Sequence, residues 1–127
     1  METNSPSFTS TVIRRSTYVR LVPWAYDFSM FDYWASDYAG HKQDMDDAIR
    51  LMETFDEVMG GLVEIWNDGL ILITSDHGNM EDLSTRKHTD ADVPALVIGD
   101  KAARYEFTRD LKDLTDIAPA IRKTVTD

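Results

Sequence analysis

Cysteine is absent from this chain of 127 residues, so neither a disulfide framework nor a thiolate zinc site is available to it. Long apolar runs are also missing, since no stretch approaches the roughly 20 residues that span a bilayer. The first residues, Met1 to Asn4, carry no basic patch that leads into an apolar core, so we expect no signal peptide. These absences favour a cytoplasmic protein with no membrane partner.

Basic residues are scarce, with 13 Lys and Arg against 23 Asp and Glu, for a net charge of −10. Nucleic acids and anionic membranes both require a basic face, so the balance argues against either as a partner. Acidity of this kind is compatible with a site that gathers divalent cations, although most acidic side chains only keep a protein soluble. The length fits a single domain.

The chain divides into a lead-in, residues 1–26, and a main region, residues 27–127. Ser, Thr and Asn dominate the start of the lead-in, whereas its later part is rich in β-branched residues and is predicted as a possible edge strand. Residues 27–34 carry four aromatic side chains and are predicted as a strand. Residues 35–42 are predicted as a loop.

A long helix is predicted to begin after Asp44, because apolar residues then recur every three or four positions up to Trp66. Two glycines, Gly60 and Gly61, interrupt this helix, and close contact with a sheet would explain them. The apolar run Leu70–Thr74 is typical of a buried parallel strand. Strand, helix and strand then form a right-handed βαβ unit. The expected class is α/β, with a partial doubly wound, mostly parallel sheet and flanking helices.

Beyond this unit, residues 93–98 are predicted as a third strand. Residues 105–114 are ambiguous between helix and loop. A final helix is predicted to be capped by Thr115 or Asp116 and to end near Val125.

Acidic and imidazole side chains cluster in the segments that follow the predicted strands. All three histidines lie there, as the pairs Asp37 with His41 and Asp76 with His77, and then His88. A spacing of four places Asp37 and His41 on one side of a helical turn, and His88 follows His77 on a polar loop that can fold back. Mixed oxygen and nitrogen ligands suit zinc, manganese or iron better than calcium.

Each of these signals is weak when it is taken alone. An Asp-His-Gly sequence after a strand is often a capped turn, and a single His88 is most often a solvated surface residue. Adjacent side chains such as Asp76 and His77 diverge at a strand end, so they favour two metals, or one metal and a substrate. Occurring together, the five residues favour a metal site.

Several motifs resemble the alkaline phosphatase superfamily, and in particular its branch of cofactor-independent phosphoglycerate mutases and related metalloenzyme domains. The matching segments are Asp37–His41, Thr74–Asp82, Lys87–Thr89, Val93–Pro94 and Asp116–Pro119. They occur in the family's order and spacing between residues 27 and 125, which corresponds to the C-terminal part of the family's catalytic domain.

The resemblance implies a role for each candidate residue. Asp37, His41 and His88 match the three ligands of one metal, and Asp76 and His77 match two ligands of a second. It implies manganese or zinc as cofactor, with one metal expected to bind more tightly than the other. It also implies a phosphorylated small molecule as substrate and a reaction that passes through a phosphorylated Ser or Thr.

Two family elements have no recognisable counterpart in residues 1–26: a further Asp from the first strand, and the nucleophile. We therefore expect a C-terminal fragment of a phosphomutase or phosphatase that is catalytically incomplete, and we assign no catalytic residue. The alternative is a non-catalytic metal-binding fragment that self-associates, since lost neighbouring strands would expose apolar surface. A homo-oligomer is expected on that ground.

Three polar residues near His77 are candidates to orient the ligands, namely Asn79, Glu81 and Asp82. Simple solvation at the surface is an equal alternative for the two acids.

Overall fold

The computed structural model describes residues 27–126. The lead-in of residues 1–26, with its possible edge strand, lies outside the described residues. The elements in chain order are α1 (Ala35–Lys42), α2 (Met45–Ile65), β1 (Ile71–Thr74), β2 (Ala95–Ile98), α3 (Lys101–Thr108), a 3-10 turn (Leu114–Asp116) and α4 (Ile117–Thr126).

The long predicted helix is present as α2. Its N-cap is Asp44, whose carboxylate accepts a hydrogen bond of 3.0 Å from the Asp47 backbone N–H. This bond satisfies one of the donors that the first turn leaves without a helical partner. The helix ends at Ile65, and Gly69 adopts a φ of +76° in the turn that leads to β1. A left-handed conformation of this kind is one that glycine adopts without steric cost.

The segment before α2 differs from the prediction. Residues 28–33 have no regular secondary structure, so the predicted strand over residues 27–34 is wrong, and the predicted loop over residues 35–42 is helix α1. Within the part of the chain that the structure describes, no strand pairs with residues 27–34, so their aromatic residues have no ladder to join. Tyr33 instead stacks on Phe55 of α2, with ring centroids 6.0 Å apart.

The sheet of the described region contains two strands, and they run antiparallel. Ile71 lies opposite Ile98, and Thr74 lies opposite Ala95. The predicted βαβ unit and mostly parallel sheet are therefore not found in residues 27–126, although strands and helices are both present, as in an α/β protein. The βαβ unit is absent because residues 27–34 form no strand. β2 runs antiparallel to β1 because residues 75–94, which join the two strands, contain no helix, whereas parallel strands need a crossover that is usually helical.

Residues 75–94, which connect β1 to β2, form a long hairpin loop whose two sides lie next to each other. An isolated antiparallel bridge pairs Gly78 with Thr89, and the Thr89 N–H donates to the Gly78 carbonyl at 2.9 Å. A Cβ at Gly78 would overlap the Thr89 hydroxyl, so only glycine allows the two sides to approach this closely. The bridge brings residues 77 and 88 side by side.

The C-terminal part of the described chain is helical. The final helix is confirmed as α4, but its cap is neither Thr115 nor Asp116. Asp113 caps the preceding 3-10 turn in a reciprocal arrangement in which the Asp116 carboxylate accepts from the Asp113 backbone N–H. The ambiguous segment falls partly in α3, whose N-cap is Asp100.

Burial in the described region is limited. The buried apolar side chains are Ala39, Ala48, Leu62 and Phe107. None of the described helices is long and apolar enough to cross a membrane.

Candidate metal centre

Helix α1 supplies the first two candidate ligands. Asp37 and His41 lie one helical turn apart, which places the His41 Nε2 3.3 Å from the Asp37 Oδ1. Both side chains are partly exposed, at 38% and 40%, so the pair is open to an ion from solvent. The helix is thus the element that aligns the pair, where the sequence had indicated a loop.

The hairpin loop brings His88 to the same carboxylate. The His88 Nε2 lies 3.1 Å from the Asp37 Oδ1, across 51 positions of the chain. Ligand atoms of Asp37, His41 and His88 all lie within 4.8 Å of one another. The fold therefore assembles the three residues that the resemblance assigns to one metal.

His77 lies on the other face of His88. The two imidazole rings stack with centroids 3.6 Å apart and an interplanar angle of 14°. The His77 Nε2 is 3.8 Å from the Asp37 Oδ1 and 3.5 Å from the Asp76 Oδ1. His77 thus lies between the two carboxylates, and Asp76 is 86% exposed at the outer edge of the cluster.

Asn79 holds the Asp37 carboxylate in place. Its side-chain Nδ2 donates to the Asp37 Oδ1 at 2.7 Å, and Asn79 itself is only 5% exposed. A Cβ at Gly40 would overlap the Asn79 amide. Gly40 therefore allows α1 to approach the hairpin loop closely enough for this hydrogen bond.

Glu81 in turn holds Asn79 and the far side of the hairpin loop. Its carboxylate accepts from the Asn79 backbone N–H at 2.7 Å and from the Thr89 hydroxyl. The Thr89 hydroxyl and the backbone N–H groups of Glu81 and Asn79 hold the pKa of Glu81 below its usual value. Asp82 instead accepts from the Ser84 N–H at 2.9 Å within its own turn. Asn79 and Glu81 thus orient the cluster, and Asp82 does not contact it.

A backbone carbonyl orients His41. Its Nδ1 lies 2.5 Å from the Arg86 carbonyl oxygen, which can only accept, so the Nδ1 must carry the proton. The other ring nitrogen, Nε2, then faces the Asp37 carboxylate. Histidine ligands of metals are commonly held by a hydrogen bond of this kind on the other ring nitrogen.

The charges around Asp37 favour its ionised form. Desolvation raises the pKa of Asp37, but the hydrogen bond from Asn79 and the nearby imidazoles of His41 and His88 lower it by more, so the net pKa lies below the usual value. An ionised carboxylate is the form that binds a metal.

The donor set suits one divalent ion, and two of its spacings are those expected around such an ion. Tetrahedral ligands about 2.0–2.1 Å from a zinc ion lie about 3.3 Å from each other. The distances of 3.1 and 3.3 Å between the Asp37 oxygen and the two imidazole nitrogens match this spacing. Two imidazoles and a carboxylate leave a fourth position open, which is the arrangement of catalytic rather than structural zinc sites.

Comparison with known proteins agrees with this chemistry. The profile of the Metalloenzyme superfamily matches residues 10–126, which is most of the chain. The chain belongs to the Metalloenzyme superfamily. The resemblance to alkaline phosphatase-like metalloenzyme domains is thereby confirmed.

Curated relatives of this metalloenzyme domain include 2,3-bisphosphoglycerate-independent phosphoglycerate mutases. The protein of that name from Desulforudis audaxviator is 36% identical over 104 residues, covering 76% of this chain and 20% of the relative. The protein from Aliivibrio fischeri is 32% identical over 108 residues, covering 78% and 21%. The chain thus spans about a fifth of the length of these relatives. No solved structure matches it.

Some residues of this metalloenzyme site escaped the sequence reasoning. Gly40 lies within the Asp37–His41 motif, but the sequence does not indicate its role, and Gln43 and Arg86 lie outside the motifs. Arg86 acts here through its backbone carbonyl, which has no signature in the sequence. Gln43 is the one glutamine of the chain, and it lies two positions after His41. That proximity to a predicted ligand is the one local signal by which the sequence could have indicated Gln43.

Proposed function

We propose that this chain binds a divalent metal, manganese or zinc, through Asp37, His41 and His88, as the metal-binding part of a phosphoryl-transfer site. The observation that carries the proposal is the convergence of three ligand atoms within 4.8 Å, from a helix and from a loop far along the chain. Hydrogen bonds from Asn79 to Asp37 and between His41 and the Arg86 carbonyl support it, because they hold the ligands before any metal binds.

We further propose that Asp76 and His77 contribute to a second, weaker metal position. Only two ligands are available there, and Asp76 is 86% exposed. The His77 Nε2 lies closer to Asp76 than to Asp37, at 3.5 against 3.8 Å. One metal is therefore expected to bind tightly and a second only at high concentration.

The proposed substrate is a phosphorylated small molecule, by analogy with the relatives, which are named as phosphoglycerate mutases. A bound divalent metal would supply Lewis acidity toward a phosphoryl oxygen. Asp37 would bind such a metal as the ionised carboxylate, and His41 would bind it through Nε2, the ring nitrogen that does not contact the Arg86 carbonyl.

Turnover by this chain alone is expected to be slow, because residues 1–26 hold no recognisable family nucleophile. We also propose that the complete site lies on the mostly parallel sheet that the family resemblance implies, with β1 and β2 at one part of it.

The test is metal content after dialysis against manganese or zinc, measured by mass spectrometry on the parent chain and on Asp37→Ala and His88→Ala. We expect about one tightly held metal per chain in the parent, and its loss in both variants, because each removes one of three ligands. Calorimetric titration with the same ions gives the affinity.

Asp56→Ala is the matched control, since Asp56 is an exposed acid on α2 outside the cluster. It is expected to retain the parent's metal content. A parent chain without bound metal would contradict the proposal, as would equal losses in Asp56→Ala and Asp37→Ala, which would indicate binding to acidic surface in general.

A further inference from the structure

Gln43 occupies an unfavourable backbone conformation at the C-terminus of α1. Its φ of 58° and ψ of 31° lie in the left-handed region, and it is the only non-glycine residue with positive φ in the described chain. Glycine is the usual residue at such a position, because a Cβ raises the energy of this conformation. A glutamine therefore needs a reason that lies in its side chain.

Both ends of that side chain are engaged with the hairpin loop. The Nε2 donates to the Leu83 carbonyl at 3.0 Å, and the Oε1 accepts from the Arg86 Nε at 3.0 Å. The contacts lie 40 and 43 positions away in sequence. Gln43 thus links the end of α1 to residues 83–86 and is half-buried between them.

The segment that Gln43 holds is the one that orients His41. Arg86 donates to Gln43 through its side chain, while its carbonyl lies 2.5 Å from the His41 Nδ1. His41 and Gln43 are two residues apart at the same end of α1. Both contact Arg86, His41 at its backbone carbonyl and Gln43 at its side chain. If Gln43 released Arg86, nothing else in the described contacts of Arg86 would keep its carbonyl on the imidazole.

We propose that Gln43 is a positioning residue for the metal centre: by clamping Arg86, it keeps the proton of His41 on Nδ1 and so leaves the Nε2 lone pair for the metal. The inference rests on the proposed metal-binding function. This role of the side chain explains why a glutamine stands at a position where its left-handed backbone raises the energy of the folded chain.

Gln43→Gly separates this role from a merely structural one. Glycine suits the left-handed backbone, so we expect the unfolding temperature of the metal-free variant to equal or exceed that of the parent. We expect its affinity for Mn²⁺ or Zn²⁺ to fall about tenfold, as is typical when an outer contact of a metal ligand is lost. A structural role would move stability and affinity in the same direction.

The tautomer of His41 provides a readout that needs no metal. In ¹⁵N-edited NMR spectra of the metal-free protein, recorded where the histidines are neutral, the parent should show the Nδ1–H form. Gln43→Gly should shift His41 toward the Nε2–H form. Arg86→Ala removes the same hydrogen bond without touching the backbone of Gln43, and it is expected to give the same two changes.

Lys42→Ala is the neighbouring control, because the Lys42 side chain faces Tyr38 and Asp47 rather than the hairpin loop. It should retain both affinity and tautomer. Unchanged affinity in Gln43→Gly and Arg86→Ala, with a parent that binds metal, would overturn the inference and leave the proposed function intact. A parent that binds no metal would overturn the proposed function, and the tautomer comparison would still decide whether Gln43 positions His41.

Discussion

Asn79 shows how much of this site depends on a single buried amide. It is 5% exposed, and it contacts α1 through its side chain and Glu81 through its backbone. Because its Nδ2 donates to the Asp37 Oδ1, the amide fixes the one oxygen around which the imidazole nitrogens gather. Space for the amide exists only because residue 40 has no side chain.

We predict that Gly40→Ala destabilises the chain by about 1–3 kcal/mol, the usual cost of overpacking a close contact. The added Cβ would overlap the Asn79 amide, so the hydrogen bond to Asp37 should be lost and metal affinity should fall in parallel. Urea unfolding of the metal-free chain and calorimetric metal titration measure the two effects.

Gly60→Ala is the matched control for this substitution. A Cβ at Gly60 meets no atom of residues 27–126 within 4 Å, so the expected close contact is not found with the sheet of that region. Alanine in an exposed helix interior should stabilise the chain by about 0.5–1 kcal/mol. Equal effects at positions 40 and 60 would contradict the role given to the Asn79 contact.

Among the elements, the hairpin loop of residues 75–94 decides where the site forms. It leaves β1 at Thr74, returns to β2 at Ala95, and pairs Gly78 with Thr89 on the way. This return places His77 and His88 in contact, and both then meet the helix that carries Asp37. An antiparallel pair of strands thus brings the candidate ligands together, whereas the sequence had indicated a parallel sheet for this role.

Helix α3 offers a test of pH dependence away from the metal cluster. The Asp100 carboxylate accepts from the Ala103 and Ala102 N–H groups, and these bonds hold its pKa below the usual value. A group with a lowered folded pKa contributes stability above its unfolded pKa of about 3.9, and that contribution is lost as the pH falls through the folded pKa.

We therefore predict that Asp100→Ala is less stable than the parent at neutral pH, and that the difference shrinks as the pH falls below about 3.9. Thermal unfolding of both proteins across this range measures it. Asp110→Ala serves as control, because Asp110 is exposed beyond α3 and its side chain accepts from the Arg109 side chain rather than from backbone N–H groups of a helix. A difference that stays constant with pH would contradict an ionised cap at Asp100.

The molecule combines exposed apolar side chains with a strongly negative net charge. Among the exposed large side chains, Met30, Phe31 and Trp34 are exposed by 81%, 73% and 73%. An apolar patch of this kind is typical of a surface that another chain covers. The net charge of −10 opposes close approach of two copies, and salt screens that repulsion.

We predict that the chain self-associates through residues 28–34 and that added salt strengthens the association. Analytical ultracentrifugation over a wide concentration range measures it. Phe31→Ser should weaken association, whereas Tyr105→Ser, at a side chain 64% exposed on α3, should leave it unchanged. A monodisperse monomer at every concentration and salt level would exclude this expectation.

The sequence by itself determined which residues have the chemistry and where the longest helix, α2, begins. Asp44 and the apolar periodicity identified α2, and Asp37, His41, His88, Asp76 and His77 stand out as acids and imidazoles in recognisable motifs. Such features are local, since a cap, a helical period or a motif lies within a few positions of the chain.

Only the tertiary structure decided how those residues meet. The antiparallel return of β2, the overlap that requires Gly40, and the hold of Arg86 and Gln43 on His41 all join groups about 20 to 45 positions apart. Contacts between distant residues, above all those made by a backbone carbonyl, leave no local pattern in a single sequence. The candidate ligands could therefore be identified from the sequence, and the hydrogen bonds that orient them could not.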